Sequence, residues 1–281
     1  NMYDIGFGGI LADDMGLGKT LQAISLISEI QLENEDLLGI IIVPTSLLHN
    51  WKEEFYKFSD IKPILVEGNA ETRKELIEKT ERGILITTYQ TFRNDVKNYN
   101  DKKFDVAILD EAQNIKNPSS RVSHAVRGMN YNFGLALTGT PVENSWVDLW
   151  TIMDFCSSDR FGTLQAFNKE YIAPVSKAEG DISVLEKKGL ELKEKIKPLL
   201  LRRMKQDVLS ELPVKHELVV PRYMSDYQET AYMDVVNQTG SANKGPFEQL
   251  MQLRNVSIHP YLMFSKKKFL ELPFEEHLKV S

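Results

Sequence analysis

The chain has 281 residues, 42% of them hydrophobic and 26% charged, with a formal net charge of −6. These are ordinary globular values, with core enough for one large domain or two smaller ones. The acidic balance excludes a strongly basic nucleic-acid binder, and the lone cysteine, Cys156, excludes an internal disulfide. With no apolar run of membrane-spanning length and no leader-like pattern, the expectation is a soluble, cytoplasmic protein without a membrane partner.

The first apolar run, residues 9–12, enters a glycine-rich turn and then a helical pattern over residues 20–33. Further strands are expected at 39–43, 64–67, 83–88, 106–109 and 134–138, with helical spacing at 47–58, 71–80 and 120–129. Several strands are apolar on successive residues, which suits parallel strands covered on both faces. The expected fold is α/β, with a central, mostly parallel sheet flanked by helices. Beyond residue 145 the pattern turns helical: Leu149, Ile152, Met153 and Cys156 share one face. Residues 184–205 read as a Lys/Arg-rich helix interrupted by Pro198, and 211–223 as an extended, proline-bounded link. This predicts a first domain over residues 1–221, with a helical protrusion at about 157–210, and a second segment over 222–281. Trp51, Trp146 and Trp150 fall on helical faces and read as core, and His259 reads as packed rather than ligating.

The turn itself, "GGILADDMGLGKTLQ" from Gly8, carries the first chemistry. Gly16 and Gly18 let backbone N–H groups converge on an anion at a helix start. Lys19 is then set to reach outer phosphates and Thr20 to coordinate Mg²⁺. A strict phosphate loop has glycine where Asp13 stands, so the loop alone is an ambiguous signal. The second piece is "FDVAILDEAQNIKN", which sets Asp110 and Glu111 directly after an apolar strand. Acids at the carboxyl end of a parallel strand face the crevice where α/β proteins bind ligands. Asp110 is placed to hold Mg²⁺ and Glu111 to polarise the attacking water, so the two pieces together predict a nucleotide triphosphate site.

Taken together, "GILADDMGLGKTLQ", "DEAQ" and "LTGTPVEN" resemble the Swi/Snf-type ATPases, a branch of the superfamily-two helicases with two RecA-like lobes that moves along double-stranded DNA. "IIIVPTSLLHNWKEEFYKF" is similar to that family's motif Ia, "ILITTYQTF" to motif Ib, and "LTGTPVENSWVDLWTIMDFC" to motif III with its trailing helix. "LLLRRMKQDVLSELPVKHE" resembles the arginine-pair segment and its link, and "LMQLRNVSIHPYLM" the helix opening the second lobe. The resemblance covers nearly the whole chain, and the family carries "DDMGLGKT" in its own phosphate loop.

What the resemblance implies is an ATP- and Mg²⁺-dependent first RecA-like motor lobe coupling hydrolysis to movement on DNA or remodelling of a protein–DNA complex. It assigns nucleotide binding to Asp14, Gly16, Leu17, Gly18, Lys19, Thr20 and Leu21, and catalysis to Lys19, Asp110, Glu111 and Gln113. Coupling falls to Thr138, Gly139, Thr140, Arg202 and Arg203, and contacts to a DNA strand to Thr45, Ser46, Thr88 and Tyr89. Gln113, unlike the commoner histidine, adds no titration near neutral pH. The family's adenine-reading segment and arginine finger lie outside these residues, so the piece is expected to be monomeric and nearly inactive alone. A bacterial or archaeal source, implied by "DEAQ" and the compact spacing, would make it nucleoid-associated. The rival readings are an RNA helicase lobe of superfamily two, a P-loop kinase or GTPase, and a non-catalytic scaffold; the DNA-translocase reading is preferred.

Overall fold

The computed structural model describes residues 8–139, 145–158, 160–177, 182–208, 218, 220, 221, 223–237, 246–259 and 262. It divides into two compact units, Asn1–Leu212 and Pro213–Ser281, earlier in the chain than the Pro221 boundary expected from sequence.

The first unit is built on seven strands: β1 (Gly9–Leu11), β2 (Leu38–Val43), β3 (Ile64–Leu65), β4 (Gly83–Thr88), β5 (Phe104–Leu109), β6 (Tyr131–Leu137) and β7 (Leu200–Leu201). They lie in the order β3-β4-β2-β5-β6-β1-β7, and every pairing is parallel. The helices are α1 (Lys19–Glu33), α2 (Leu48–Phe58), α3 (Ala70–Lys79), α4 (Tyr89–Asp95), α5 (Arg121–Arg127) and α6 (Trp146–Cys156). After them come α7 (Leu164–Phe167), α8 (Ala173–Lys177), α9 (Ile182–Ile196) and α10 (Lys205–Val208).

Successive side chains of a strand point to opposite faces, and β2 shows what that does here. Ile40 and Ile42 join one core cluster with Phe92, Phe104, Met153 and Phe155; Ile41 and Val43 join the other with Ile24, Ile27, Trp51 and Phe55. The apolar run of β2 is therefore needed in full, because both faces of the sheet are covered. Gly39 permits the tight spacing: a Cβ there would sit 2.7 Å from Ile84 Cδ1 and 2.9 Å from Val106 Cγ1.

The expected basic helix over 184–205 needs correction. α9 ends at Ile196, a 3-10 turn covers Lys197–Leu199, and Leu200–Leu201 then forms β7 beside β1. Pro198 supplies no backbone N–H, so it cannot continue the helix, and the two apolar residues after it complete the sheet edge. The basic run is also partly used within the protrusion. Lys195 Nζ lies 5.0 Å from the Phe161 ring centroid and 5.6 Å from that of Tyr171, and Lys188 Nζ lies 2.6 Å from Glu191.

In the second unit, α11 (Asp226–Asn237) and α12 (Pro246–Ile258) pack on each other. Gln228 Nε2 donates to the carbonyls of Val256 at 2.8 Å and Ser257 at 3.1 Å. Among the described residues no helix is long and apolar enough to cross a membrane.

Cys156 closes α6 and is buried, its Sγ donating to the Gly9 carbonyl at 3.1 Å. Burial pushes the thiol far above its ordinary range, so no reactive thiolate forms in the folded chain. Maleimide labelling in native buffer is therefore expected to be negligible and to become complete in denaturant. Labelling before the unfolding transition would show the α6–β1 contact to be open. Because only the unfolded chain ionises this thiol near its usual value of 9.0, the group withdraws stability as pH rises above that value.

Candidate nucleotide-binding site

The carboxyl ends of β1, β6 and β5 lie side by side, and each runs into one part of the site. At the end of β1 the chain turns through Gly16 and Gly18, with φ of 86° and 73°. This is the left-handed region that glycine enters without strain. α1 then begins at Lys19 with no side chain capping its first turn and no acidic residue in it. Its first N–H groups are therefore available to an anion, and the helix dipole favours one there. Lys19 Nζ donates to the Asp13 carbonyl at 2.7 Å and to the Asp14 carbonyl at 3.4 Å.

At the end of β5, Asp110 is held from every side. Its N–H continues the ladder to the Ile42 carbonyl at 2.9 Å. Oδ1 accepts from the Glu111 N–H at 2.9 Å, and Oδ2 from Trp51 Nε1 at 2.7 Å. Burial raises the Asp110 carboxyl; the Trp51 bond pulls it down and the charge of Glu111 pushes it up again, leaving it above its ordinary value. Glu111 follows at φ 50°, the one non-glycine residue with positive φ among those described. That bend sends its carboxylate toward β6. Gln113 Nε2 donates to Glu111 Oε2 at 2.7 Å, and Thr138 Oγ1, just past β6, donates to Gln113 Oε1 at 3.0 Å. One hydrogen-bond chain thus joins the ends of β5 and β6.

Gly16, Gly18, Thr20, Trp51 and Asp110 line a single cleft of about 380 Å³. Thr20 and Asp110 present hard oxygen donors there, few enough to leave room for water and phosphate oxygens. That donor set suits Mg²⁺, which prefers one or two protein oxygens beside substrate phosphates.

The other residues singled out from sequence fall as follows. Asp14 Oδ2 accepts from the Lys205 N–H at 3.0 Å, and the Leu17 carbonyl accepts from Gln22 Nε2 at 3.1 Å. Leu21 lies on the rim of the cleft, 39% exposed. Gly139 lies within reach of Met15, and Thr140 lies outside the described residues. Thr45 and Ser46 are exposed on a 3-10 turn after β2. Thr88 and Tyr89, expected at a DNA strand, are instead buried. Thr88 caps α4, accepting from the Thr91 N–H at 3.1 Å, and the Tyr89 phenol donates to the Asp110 carbonyl at 2.8 Å. Their side chains are committed because α4 starts directly at the end of β4 and turns them inward. Arg202 is exposed, whereas Arg203 reaches the phosphate loop, where it pairs with Asp13.

Three functional contacts escaped the sequence reading. Trp51 read as core, yet a buried indole N–H needs an acceptor, and that rule points to a polar partner such as Asp110. Asp13 was legible only as a departure from the strict loop pattern. Gln22 gave no signal at all.

A parallel α/β sheet that brings a glycine loop, an Asp-Glu pair and a threonine to adjacent strand ends has the layout of the phosphate-loop α/β class. The chain belongs to the SNF2-related family: the SNF2-related domain model matches residues 3–262. It is 42% identical, over 76% of its length, to an uncharacterised ATP-dependent helicase of Mycoplasma genitalium, of which it covers 20%. It is 30% identical, over 96% of its length, to the TATA-binding protein-associated factor MOT1 of Saccharomyces cerevisiae, of which it covers 16%. Among solved structures, the Sulfolobus solfataricus SWI2/SNF2 ATPase core in complex with double-stranded DNA matches with a TM-score of 0.66 and 34% identity, over 93% of this chain and 56% of that one. The chain spans about a fifth of the length of these two curated relatives.

Proposed function

We propose that this chain is the nucleotide-binding first lobe of a double-stranded DNA translocase that acts on protein–DNA complexes. The observation that carries the reading is that the uncapped α1 start with Lys19 follows β1 and Asp110-Glu111 follows β5, with only β6 between those strands, and that Gly16, Gly18, Thr20 and Asp110 share one cleft. The family's solved core in complex with double-stranded DNA supports the choice of nucleic acid.

In this reading the first-turn N–H groups of α1 and Lys19 bind the β- and γ-phosphates of ATP, and Lys19 leaves the Asp13 and Asp14 carbonyls to do so. Thr20 and Asp110 would hold Mg²⁺, which when bound supplies charge neutralisation across the phosphates. Glu111 orients the attacking water and accepts its proton, and Gln113 holds that carboxylate in place through Nε2. Thr138 holds the other end of the same amide, so a shift at the end of β6 is felt at Glu111. Thr45 and Ser46, exposed beyond β2, are the hydroxyls open to a DNA phosphate. An arginine finger from a second lobe is worth roughly 10³–10⁵ in rate, so the lobe alone turns over ATP slowly.

ATP turnover of a two-lobed protein carrying this lobe, measured with duplex DNA and with duplex RNA, tests the reading. Strong stimulation by DNA is the expected result. Equal or greater stimulation by RNA would assign the lobe to an RNA helicase, and no turnover under any condition would leave a scaffold.

A further inference from the structure

The strand β7 does more than close the sheet. Its pairing with β1 continues past both strands into the phosphate loop. The Ala12 N–H donates to the Leu201 carbonyl at 2.7 Å and the Asp14 N–H to the Arg203 carbonyl at 3.0 Å. In return the Arg203 N–H donates to Asp13 Oδ1 and the Lys205 N–H to Asp14 Oδ2, each at 3.0 Å. The side chain of Lys205 crosses the loop itself, with Nζ 3.5 Å from where a Cβ on Gly16 would stand.

At the centre is Asp13, fully buried at 0% exposure. The Arg203 guanidinium grips its carboxylate through Nε, at 3.1 Å and 3.0 Å to the two oxygens, and through Nη2. Gln22 completes the ring. Its Oε1 accepts from Arg203 Nη2, while its Nε2 donates to Asp13 Oδ2 at 3.3 Å and to the Leu17 carbonyl at 3.1 Å. Burial pulls the Asp13 carboxyl up, but the bonds from Arg203 and Gln22 outweigh it and hold it below its ordinary value. A buried carboxylate without such partners would be costly, so Asp13 and Arg203 require each other. The backbone carbonyl of the same residue accepts from Lys19 Nζ. A single residue therefore joins the phosphate-reaching lysine to a segment 190 residues further along the chain.

We infer that Arg203 is a positioning residue for the nucleotide site, acting through Asp13 and Gln22 to tie the phosphate loop to the segment that leaves the first unit toward Pro213–Ser281. This gives the aspartate at position 13 a purpose that glycine could not serve. It also makes the loop and the exit segment one element: when Lys19 moves from the Asp13 carbonyl to a phosphate, the 201–205 segment is the part bonded to the residue it leaves. The inference rests on nucleotide binding at this loop.

The test uses the 281-residue chain and a fluorescent ADP analogue with Mg²⁺, in two measurements. Amide hydrogen exchange on the wild-type chain comes first. Nucleotide is expected to change protection at the Arg203 and Lys205 amides, and unchanged protection there, with the analogue bound, overturns the inference. The second measurement compares affinities. Arg203→Ala is expected to weaken the analogue by about 5- to 150-fold, the usual range of a coupling between sites, and Asp13→Asn combined with it adds little, because one contact is being removed twice. Arg203→Lys keeps the charge but not the fork, so it recovers only part of the affinity. Should Arg203→Ala fail to fold, Gln22→Ala leaves the ion pair standing and is expected to give a smaller loss of the same kind. Folded variants that bind as the wild type does overturn the inference while nucleotide binding stands; no binding by the wild type, with Lys19→Ala indistinguishable from it, removes the proposed function itself.

Discussion

Replacing Glu111 with glutamine in the two-lobed protein is expected to lower DNA-stimulated ATP turnover by about 10²- to 10⁴-fold, the worth of a positioned general base, while nucleotide still binds. The geometry explains why the loss should fall on kcat. Glu111 stands at φ 50° and ψ 54°, a conformation set by the tight turn into the 3-10 segment Ala112–Ile115. A glutamine keeps the size of the side chain and an acceptor oxygen for Gln113 Nε2, which now bonds Oε2 at 2.7 Å. The fold and the cleft are left as they were, and only the capacity to take a proton is removed. Steady-state turnover beside an equilibrium titration with the fluorescent analogue separates the two effects. A variant that loses binding and turnover together would assign Glu111 to ground-state binding instead.

Trp51→Phe is the second large effect, and it falls on stability and metal binding together. Trp51 is 1% exposed, and its indole N–H is one of two donors to the Asp110 carboxylate, itself 6% exposed. Phenylalanine fills most of the space but carries no donor, so the variant is expected to lose about 1.5–3 kcal/mol, the range for a hydrogen bond to a charged group. Urea unfolding measures it. Because the Trp51 bond favours the ionised carboxylate, its loss costs most when Asp110 is ionised, and the deficit shrinks as pH falls through the raised Asp110 value. The same loss leaves a carboxylate less ready to hold a cation, so the Mg²⁺ dependence of nucleotide binding is expected to move about 10- to 100-fold upward. An unchanged Mg²⁺ requirement would confine Trp51 to packing. Trp51→Ala adds a cavity and raises the stability loss to about 3–5 kcal/mol.

The central sheet was legible because burial on both faces leaves a plain mark. The run of β2 is apolar residue after residue, as is β5 from Val106 onward, and no exposed strand needs that. β7 was not, because two leucines after Pro198 become a strand only when β1 is beside them, and that pairing joins residues 190 apart. The site divides in the same way. Lys19, Thr20, Asp110 and Glu111 carry signals in residue type and local spacing. The contacts that hold them, from Trp51 to Asp110, Tyr89 to Asp110 and Arg203 to Asp13, join segments distant in sequence. Tyr89 shows the cost of reading a hydroxyl from its neighbours alone: a tyrosine beside two threonines looks like a surface contact until α4 folds it under β5.

The continuation of the β1–β7 ladder also fixes the order in which the exit segment gives way under tension. A pull transmitted along the chain from beyond Lys205 is carried first by Lys205 on Asp14, then by Arg203 on Asp13, and only afterwards by Leu201 on Ala12. Load on that segment therefore reaches the phosphate loop before it reaches any residue of the sheet. Strain arriving through the exit segment would therefore fall first on the bonds to Asp14 and Asp13 in the glycine loop, with the β1–β7 pairing behind them.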